Sequence, residues 1–295
     1  MEPPDFSLRK YDPSFPSLLR TIPDCPSLLY GRGQPLKEDS FYIAIVGTRH
    51  PSPYGLELAE TFAYGLAQRG AVIVSGLAYG IDAAAHRGAL SAGGSTVAVL
   101  ASPVGWVTPR SNIPLAEEIL KTGTLLSEYA QAEKTFRSNF PRRNRIVAGM
   151  STATLIIEAP ARSGALITAR LALEYNRDVC AIPGNITSET SVGTNKLIQR
   201  GLAYPVTYVA DLLSYLNDER HLDPLPLQPP PSPKSLPLLT PTGELIYRRL
   251  KKRPYSIDEL ICEMGLAAEE VTVALTHLEI HGLVKIYGSQ VVVTR

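Results

Sequence analysis

The sequence predicts an α/β fold: a Rossmann-like, doubly wound, mostly parallel sheet followed by a small C-terminal winged-helix domain. Three observations carry that reading. Short, nearly continuous apolar runs such as IAIV, AVIV, VAVL and TLII recur through the middle of the chain, and strands of this kind are buried on both faces under covering helices. Segments with helical periodicity alternate with them, which implies right-handed βαβ crossovers. Beyond a proline-rich stretch, the remaining residues read as three helices and a hairpin.

Each element follows in order. Residues 1–35 contain seven prolines and read as an irregular arm packed on the core. Residues 36–220 form the Rossmann-like domain, with strands expected at 42–46, 71–75, 96–101, 124–127, 153–158 and 178–182. After the first strand, Ala59, Phe62, Ala63 and Leu66 follow the i, i+3, i+4, i+7 pattern, and Gly70 stands where a helix-ending glycine is expected. Residues 221–237, HLDPLPLQPPPSPKSLP, are too rich in proline for a helix or a central strand and read as an extended linker. In the final domain, 238–295, residues 242–250 are helical and Ser256 with Glu259 makes a capping box. Val271, Ala274, Leu275 and Leu278 mark a third helix, and VKIY and VVV around a GSQ turn make a hairpin.

Composition narrows the function. At 44% hydrophobic and 19% charged residues the chain builds a sizeable core. A net charge of +1 supplies no global field, so a polyanion site has to come from local clustering of cations. Cys25, Cys180 and Cys262 form no CxxC pair and have no histidine at ligand spacing, which argues against a zinc site or a disulfide framework and fits a reducing compartment. No apolar run reaches the ~18 residues of a membrane span. The expectation is a cytoplasmic protein with neither metal nor cofactor.

In doubly wound sheets ligands bind beyond the carboxyl ends of the strands, where helix N-termini and glycine turns expose backbone N–H groups. Here the first strand is followed by Gly47, Thr48 and Arg49, and the second ends in Ser75 and Gly76, with Gly80, Asp82 and His86 beyond. Arg137, Phe140, Arg142, Arg143, Asn144 and Arg145 follow the fourth; Arg162, Ser163, Gly164 and Thr168 the fifth; Gly184, Asn195 and Lys196 the sixth. Arginines offer bidentate contacts to phosphate, and a phenylalanine offers a face for a base. Plainer roles stand beside these: Gly76 and Gly80 as packing residues, Asp82 as a helix cap, His86 packed against the loop, Phe140 as core, Arg142 and Arg143 as solvated surface. Glu158 is the best acid in reach, but no base accompanies it.

The stretches PSLLYGRG, IAIVGTRHPSPYG, VSGLAYGIDAAAHRGAL, LLSEY, FPRRNRIVAGMS, EAPARSGALITA and IPGNITSETSVGTNKLIQRG, in this order, resemble the DprA family, also called Smf. The resemblance implies a non-enzymatic protein that binds incoming single-stranded DNA, dimerises through its Rossmann-like domain and helps load RecA in natural transformation. It also implies a DNA pocket at Arg49 in the GTR motif and at Arg137 and Phe140 ahead of RRNR, with Ser75, Gly76, Asn144, Arg145, Ser163 and Gly164 on the same edge. Gly47, Thr48, Arg143 and Lys196 complete the candidate phosphate-binding set. Many members carry a helical domain before the arm, whereas this chain begins almost at the arm. Residues 106–109 read WVTP where the family usually has a tyrosine before the proline.

The third winged helix presents Glu269, Glu270 and Glu279 and no Lys or Arg, so like charge opposes its entry into a major groove. The basic run Arg248, Arg249, Lys251, Lys252 and Arg253 lies at the first helix instead. The domain therefore reads as an accessory or protein-interaction module rather than a transcription regulator's reading head. The main alternative is a Rossmann-like phosphoribohydrolase acting on a nucleotide or sugar phosphate through Asp82, His86 or Glu158. An NAD enzyme is disfavoured because no GxGxxG follows the first strand.

Overall fold

The computed structural model describes residues 3–36, 40–216, 240–251, 253, 255–281, 283–287 and 290–293. The chain divides into two compact units, Met1–Asp223 and Pro224–Arg295. The proposed linker, 221–237, lies outside the described residues. Among them, no helix is long and apolar enough to cross a membrane.

The first unit opens with β1 (Phe6–Arg9), α1 (Ser17–Arg20) and β2 (Leu28–Gly33). Strands and helices then alternate: β3 (Tyr42–Val46), α2 (Pro53–Ala67), β4 (Val72–Ser75), α3 (Ile81–Ser91), β5 (Thr96–Val99), α4 (Ile113–Thr122) and β6 (Thr124–Ser127). The second half follows as α5 (Asn139–Met150), β7 (Ala153–Ile156), α6 (Gly164–Glu174), β8 (Asp178–Ala181), α7 (Val192–Gln199), β9 (Tyr204–Pro205) and α8 (Val209–Tyr215). One sheet runs β1-β2-β6-β5-β4-β3-β7-β8-β9. From β6 through β9 every neighbouring pair is parallel. The order turns back at β3, with β4 on one side and β7 on the other, and this reversal is where doubly wound sheets hold ligands.

Alternation explains why β3 is buried at every position. Ala44 and Val46 point into the core beneath the arm, α5 and α6. Ile43 and Ile45 point into the opposite core, with Phe62, Leu66 and Ile81 of α2 and α3. Burying each such isoleucine or leucine is worth about 1.5–3 kcal/mol. The helix predicted after β3 places Ala59, Phe62, Ala63 and Leu66 inside, and it closes past Gly70 through a hydrogen bond from Ala71 N to Leu66 O at 3.1 Å.

Two expectations are corrected. The arm is not irregular: β2 pairs antiparallel with β6, and β1 with β2, so the arm widens the sheet. Its prolines all fall outside these strands, leaving the paired positions free of them. Several strands also end sooner than expected, because the following residues turn their backbone to the loops. Ala101 O, for one, accepts from the Asn139 side chain, Nδ2 at 3.2 Å.

The second unit is a winged helix: α9 (Pro241–Leu250), β10 (Tyr255–Ser256), α10 (Ile257–Met264), α11 (Ala268–Ile280), β11 (Val284–Tyr287) and β12 (Gln290–Val293). The capping box is present, with Glu259 N donating to Ser256 Oγ at 3.1 Å and Ser256 N to Glu259 Oε2 at 2.7 Å. The short β10, which two residues cannot signal by periodicity, joins the hairpin in a sheet of order β10-β12-β11. Gly288 and Ser289 of the expected turn lie outside the described residues.

Candidate nucleic-acid interface

A cavity of about 390 Å³ opens at the strand reversal, lined by Gly47, Thr48, Arg49, Gly76, Arg143, Asn144, Ser163 and Gly164 of the predicted set. His50, Asp82 and Arg162 also line it. The loops after β3, β4 and β7 thus meet the middle of α5 and the first turn of α6. Ser163 caps α6, accepting from Ala165 N at 3.3 Å, and the space about Gly164 is open. With no acidic residue in that first turn, the positive end of the helix dipole faces the cavity unneutralised. Arg49 and Arg162 are exposed. The Arg49 guanidinium lies 5.5 Å from the centroid of the half-buried Phe140 ring, and exposed Arg137 stands a turn away. Phe140 is therefore neither core nor free: it forms a platform beside the cavity.

Other predicted residues are placed differently. Ser75 is fully buried and donates to Ile45 O at 2.7 Å. Lys196 is exposed on α7 and does not line the cavity. Arg145 faces away, into a second cavity, where it forms a buried ion pair with Glu128 and lies 3.6 Å from Asp24. The expectation that Arg145 lines the phosphate edge is corrected, because Glu128 on the β6 side draws it across α5. Arg143 lines the cavity yet is 4% exposed. Its Nη1 donates to Gly76 O at 2.6 Å and also to Val99 O, so it is neither solvated surface nor a free phosphate clamp. Gly76 is glycine for this reason, since a Cβ there would overlap the Arg143 guanidinium.

The acidic and basic candidates for catalysis are all engaged internally. Asp82 is not the helix cap. Gly80, with φ +77°, holds that position, and the Asp82 carboxylate accepts from Gly76 N at 3.1 Å. Burial pushes its carboxyl above the usual range, against the opposing pull of Arg143 and the loop N–H groups. His86 is fully buried with Nδ1 2.7 Å from Thr96 Oγ1. Burial, then Arg143 and Arg87, push its pKa down to about 3. Glu158 holds the start of α2: it accepts from Ser52 N at 2.8 Å, from Ser52 Oγ at 2.6 Å and from Thr190 Oγ1 at 2.9 Å. The first helix N-terminus of the sheet, the usual seat of a dinucleotide's pyrophosphate, is thereby filled by an internal carboxylate.

In the winged helix, the basic run is tied down. Arg248 pairs with Glu244 at 2.7 Å, Arg249 with Glu263 at 3.0 Å, and Arg253 with Glu259 and Glu263 at 3.5 Å. Lys251 lies 4.9 Å over the Tyr247 ring, and Lys252 lies outside the described residues.

Residues 7–217 match the family model described as DNA recombination-mediator protein A. The chain belongs to that family. Residues 229–287 match the DprA winged helix domain. Among curated members of the recombination-mediator family, protein Smf of Synechocystis is 36% identical across 92% of this chain and 76% of its own length. The DNA processing protein DprA of Streptococcus pneumoniae is 41% identical across 72% of this chain and 73% of its own. The X-ray structure of that pneumococcal protein superposes with a TM-score of 0.66 at 40% identity, covering 71% of this chain and 73% of that one. DNA processing protein A from Helicobacter pylori, described for its single-stranded DNA binding mode, superposes at 0.63 with 32% identity over 69% of this chain and 93% of that one.

Sequence reasoning placed Arg162 on the loop edge but left it, with His50, out of the candidate phosphate-binding set, although both line the cavity. Arg162 adjoins Ser163 in EAPARSGALITA, and its place ahead of a helix N-terminus was the available signal.

Proposed function

We propose that this protein binds single-stranded DNA, without regard to sequence, on the loop edge around Arg49. It acts as a cytoplasmic mediator of recombination that helps load RecA onto incoming DNA in natural transformation. The carrying observation is the cavity at the strand reversal, where no carboxylate among the described residues pairs with Arg49 or Arg162, no acidic residue stands in the first turn of α6, and the Arg49–Phe140 platform stands beside it. Family membership and the single-strand binding of the H. pylori relative support the same reading. The role is non-enzymatic, because Asp82, His86 and Glu158 each serve the fold. Thr48, Asn144, Ser163 and Gly164 meet the phosphate, Arg49 and Arg162 pair with it, and Phe140 takes a base. Arg137 and Lys196 contribute charge at the rim. The working form is a homodimer through the Rossmann-like unit, with the winged helix as an accessory module.

The test is fluorescence anisotropy of labelled oligo-dT across a salt series. Wild type binds single strands in preference to duplex. Arg49→Ala weakens binding and flattens the log–log salt slope by about 0.7, the share of one phosphate. Phe140→Ala costs about 1–3 kcal/mol at unchanged slope. Absence of single-strand binding, together with release of free base from nucleotides, would move the phosphoribohydrolase reading to the front.

A further inference from the structure

The cavity that Arg145 enters, about 870 Å³, plays no part in that reading. It lies between the arm and the same two helices. Along α5, Asn144 and Val147 face the first cavity, whereas Pro141, Arg142 and Arg145 face the second. Along α6, Gly164 and Thr168 face the first, and Ile167 and Leu171 the second. A strand leaving the first cavity therefore has only the opening turn of α5 to cross. Phe140 is half-buried there, and Pro141 and Arg142 are exposed.

The two cavities differ in charge. Around the first, Arg49, Arg143 and Arg162 face a single carboxylate, Asp82. Around the second, Arg142, Arg145 and Arg170 are balanced by Asp24, Glu128 and Glu133, and Arg145 and Arg142 both lean on Glu128. A cationic cavity suits a phosphate. A balanced one with apolar walls suits an uncharged ring, which gains by leaving water without having to desolvate a charge. Its walls include Leu28, Ile167, Leu171 and the half-buried ring of Tyr30.

We propose that the arm cavity is a nucleobase site: a base of the bound strand, beyond the nucleotide seated at Arg49, turns over the start of α5 and inserts between the arm and α6. The inference rests on the single-strand reading above. It assigns to the arm, beyond its structural pairing, a direct part in holding the strand, and it extends the footprint past the strand reversal.

Cys25 reports on this directly, because it lines the cavity and is half-buried. Cys180 is buried, so Cys262→Ser leaves Cys25 as the accessible thiol. Its modification by an aromatic disulfide reagent is followed at mildly alkaline pH, since burial raises the thiol's pKa. Saturating oligo-dT is expected to slow the reaction at least ~fivefold, the effect of stacking worth ~1 kcal/mol. A dinucleotide, too short to leave the first cavity, is expected to leave the rate unchanged. Oligo-dT that saturates by anisotropy yet leaves the rate untouched overturns the proposal while the single-strand function stands. Ile167→Trp, which fills the cavity, supplies a second readout: oligo-dT affinity is expected to fall about fivefold. If Arg49→Ala weakens binding and Ile167→Trp does not, the base site is rejected. If neither does, the function itself fails.

Discussion

The arginines of the two units differ in what they are free to do. In the winged helix, Arg248, Arg249 and Arg253 are each paired with a carboxylate of their own unit. At the strand reversal, Arg49 and Arg162 are exposed, and no carboxylate among the described residues pairs with them. Arg143 and Arg145, a turn or less from the candidate phosphate site, resemble the winged-helix arginines in being committed, but they are buried as well. Phosphate binding thus depends on cations left unspent, and counting arginines in a segment overstates it.

The largest expected effect comes from breaking a buried commitment. Arg143→Met strips Asp82 of its counter-charge and leaves the carbonyls of Gly76 and Val99 without their donor. Stability is expected to drop by about 3–5 kcal/mol, the usual cost of unpairing a buried charge, read as a shift in urea midpoint at constant slope. Arg49→Ala, by contrast, is expected to leave the midpoint within about 0.5 kcal/mol. Equal losses in the two variants would erase the distinction between committed and available arginines.

The same buried site leaves a titration signature. His86 stays neutral in the fold down to about pH 3, held there first by burial and then by Arg143. In the unfolded chain a histidine takes up its proton below about 6.5. Its contribution is complete above pH 6.5 and is lost as the pH falls from 6.5 towards 3, by about 1.4 kcal/mol per unit. At pH 5 His86→Gln is expected to have escaped about 2 kcal/mol of that acid-driven loss. Parallel stability–pH curves for the two proteins would refute it.

Smaller effects sharpen the contrast from the other side. Deleting residues 236–295 is expected to change oligo-dT affinity by less than about tenfold, or 1.4 kcal/mol. Smallest of all, Arg248→Ala removes an exposed i, i+4 pair and is expected to alter stability by no more than about 0.5 kcal/mol, with oligo-dT anisotropy unchanged. A marked loss of affinity in either would mean that the winged helix touches the strand after all.

Much of this was legible in the chain. The sheet was readable because β3 to β8 are buried on both faces, so most of them appear as nearly continuous apolar runs. The loop edge was readable because small residues and arginines follow those runs at fixed places. Beyond that, legibility depended on where the controlling partner lies. Nothing in RRNR distinguishes Arg143 from Arg145. Gly76 and Val99 capture one and Glu128 the other, and all three partners are distant in sequence. Asp82 looked like a cap because caps are local, but the turn is held by Gly80. The arm hid its strands because β2 is recruited by the edge of β6, a partner almost a hundred residues away.

Glu158 reaches across the top of the sheet to Ser52 and Thr190. An anion is thereby kept from the start of α2, and the loop edge has its open helix N-terminus displaced to the far side of the strand reversal, at the first turn of α6.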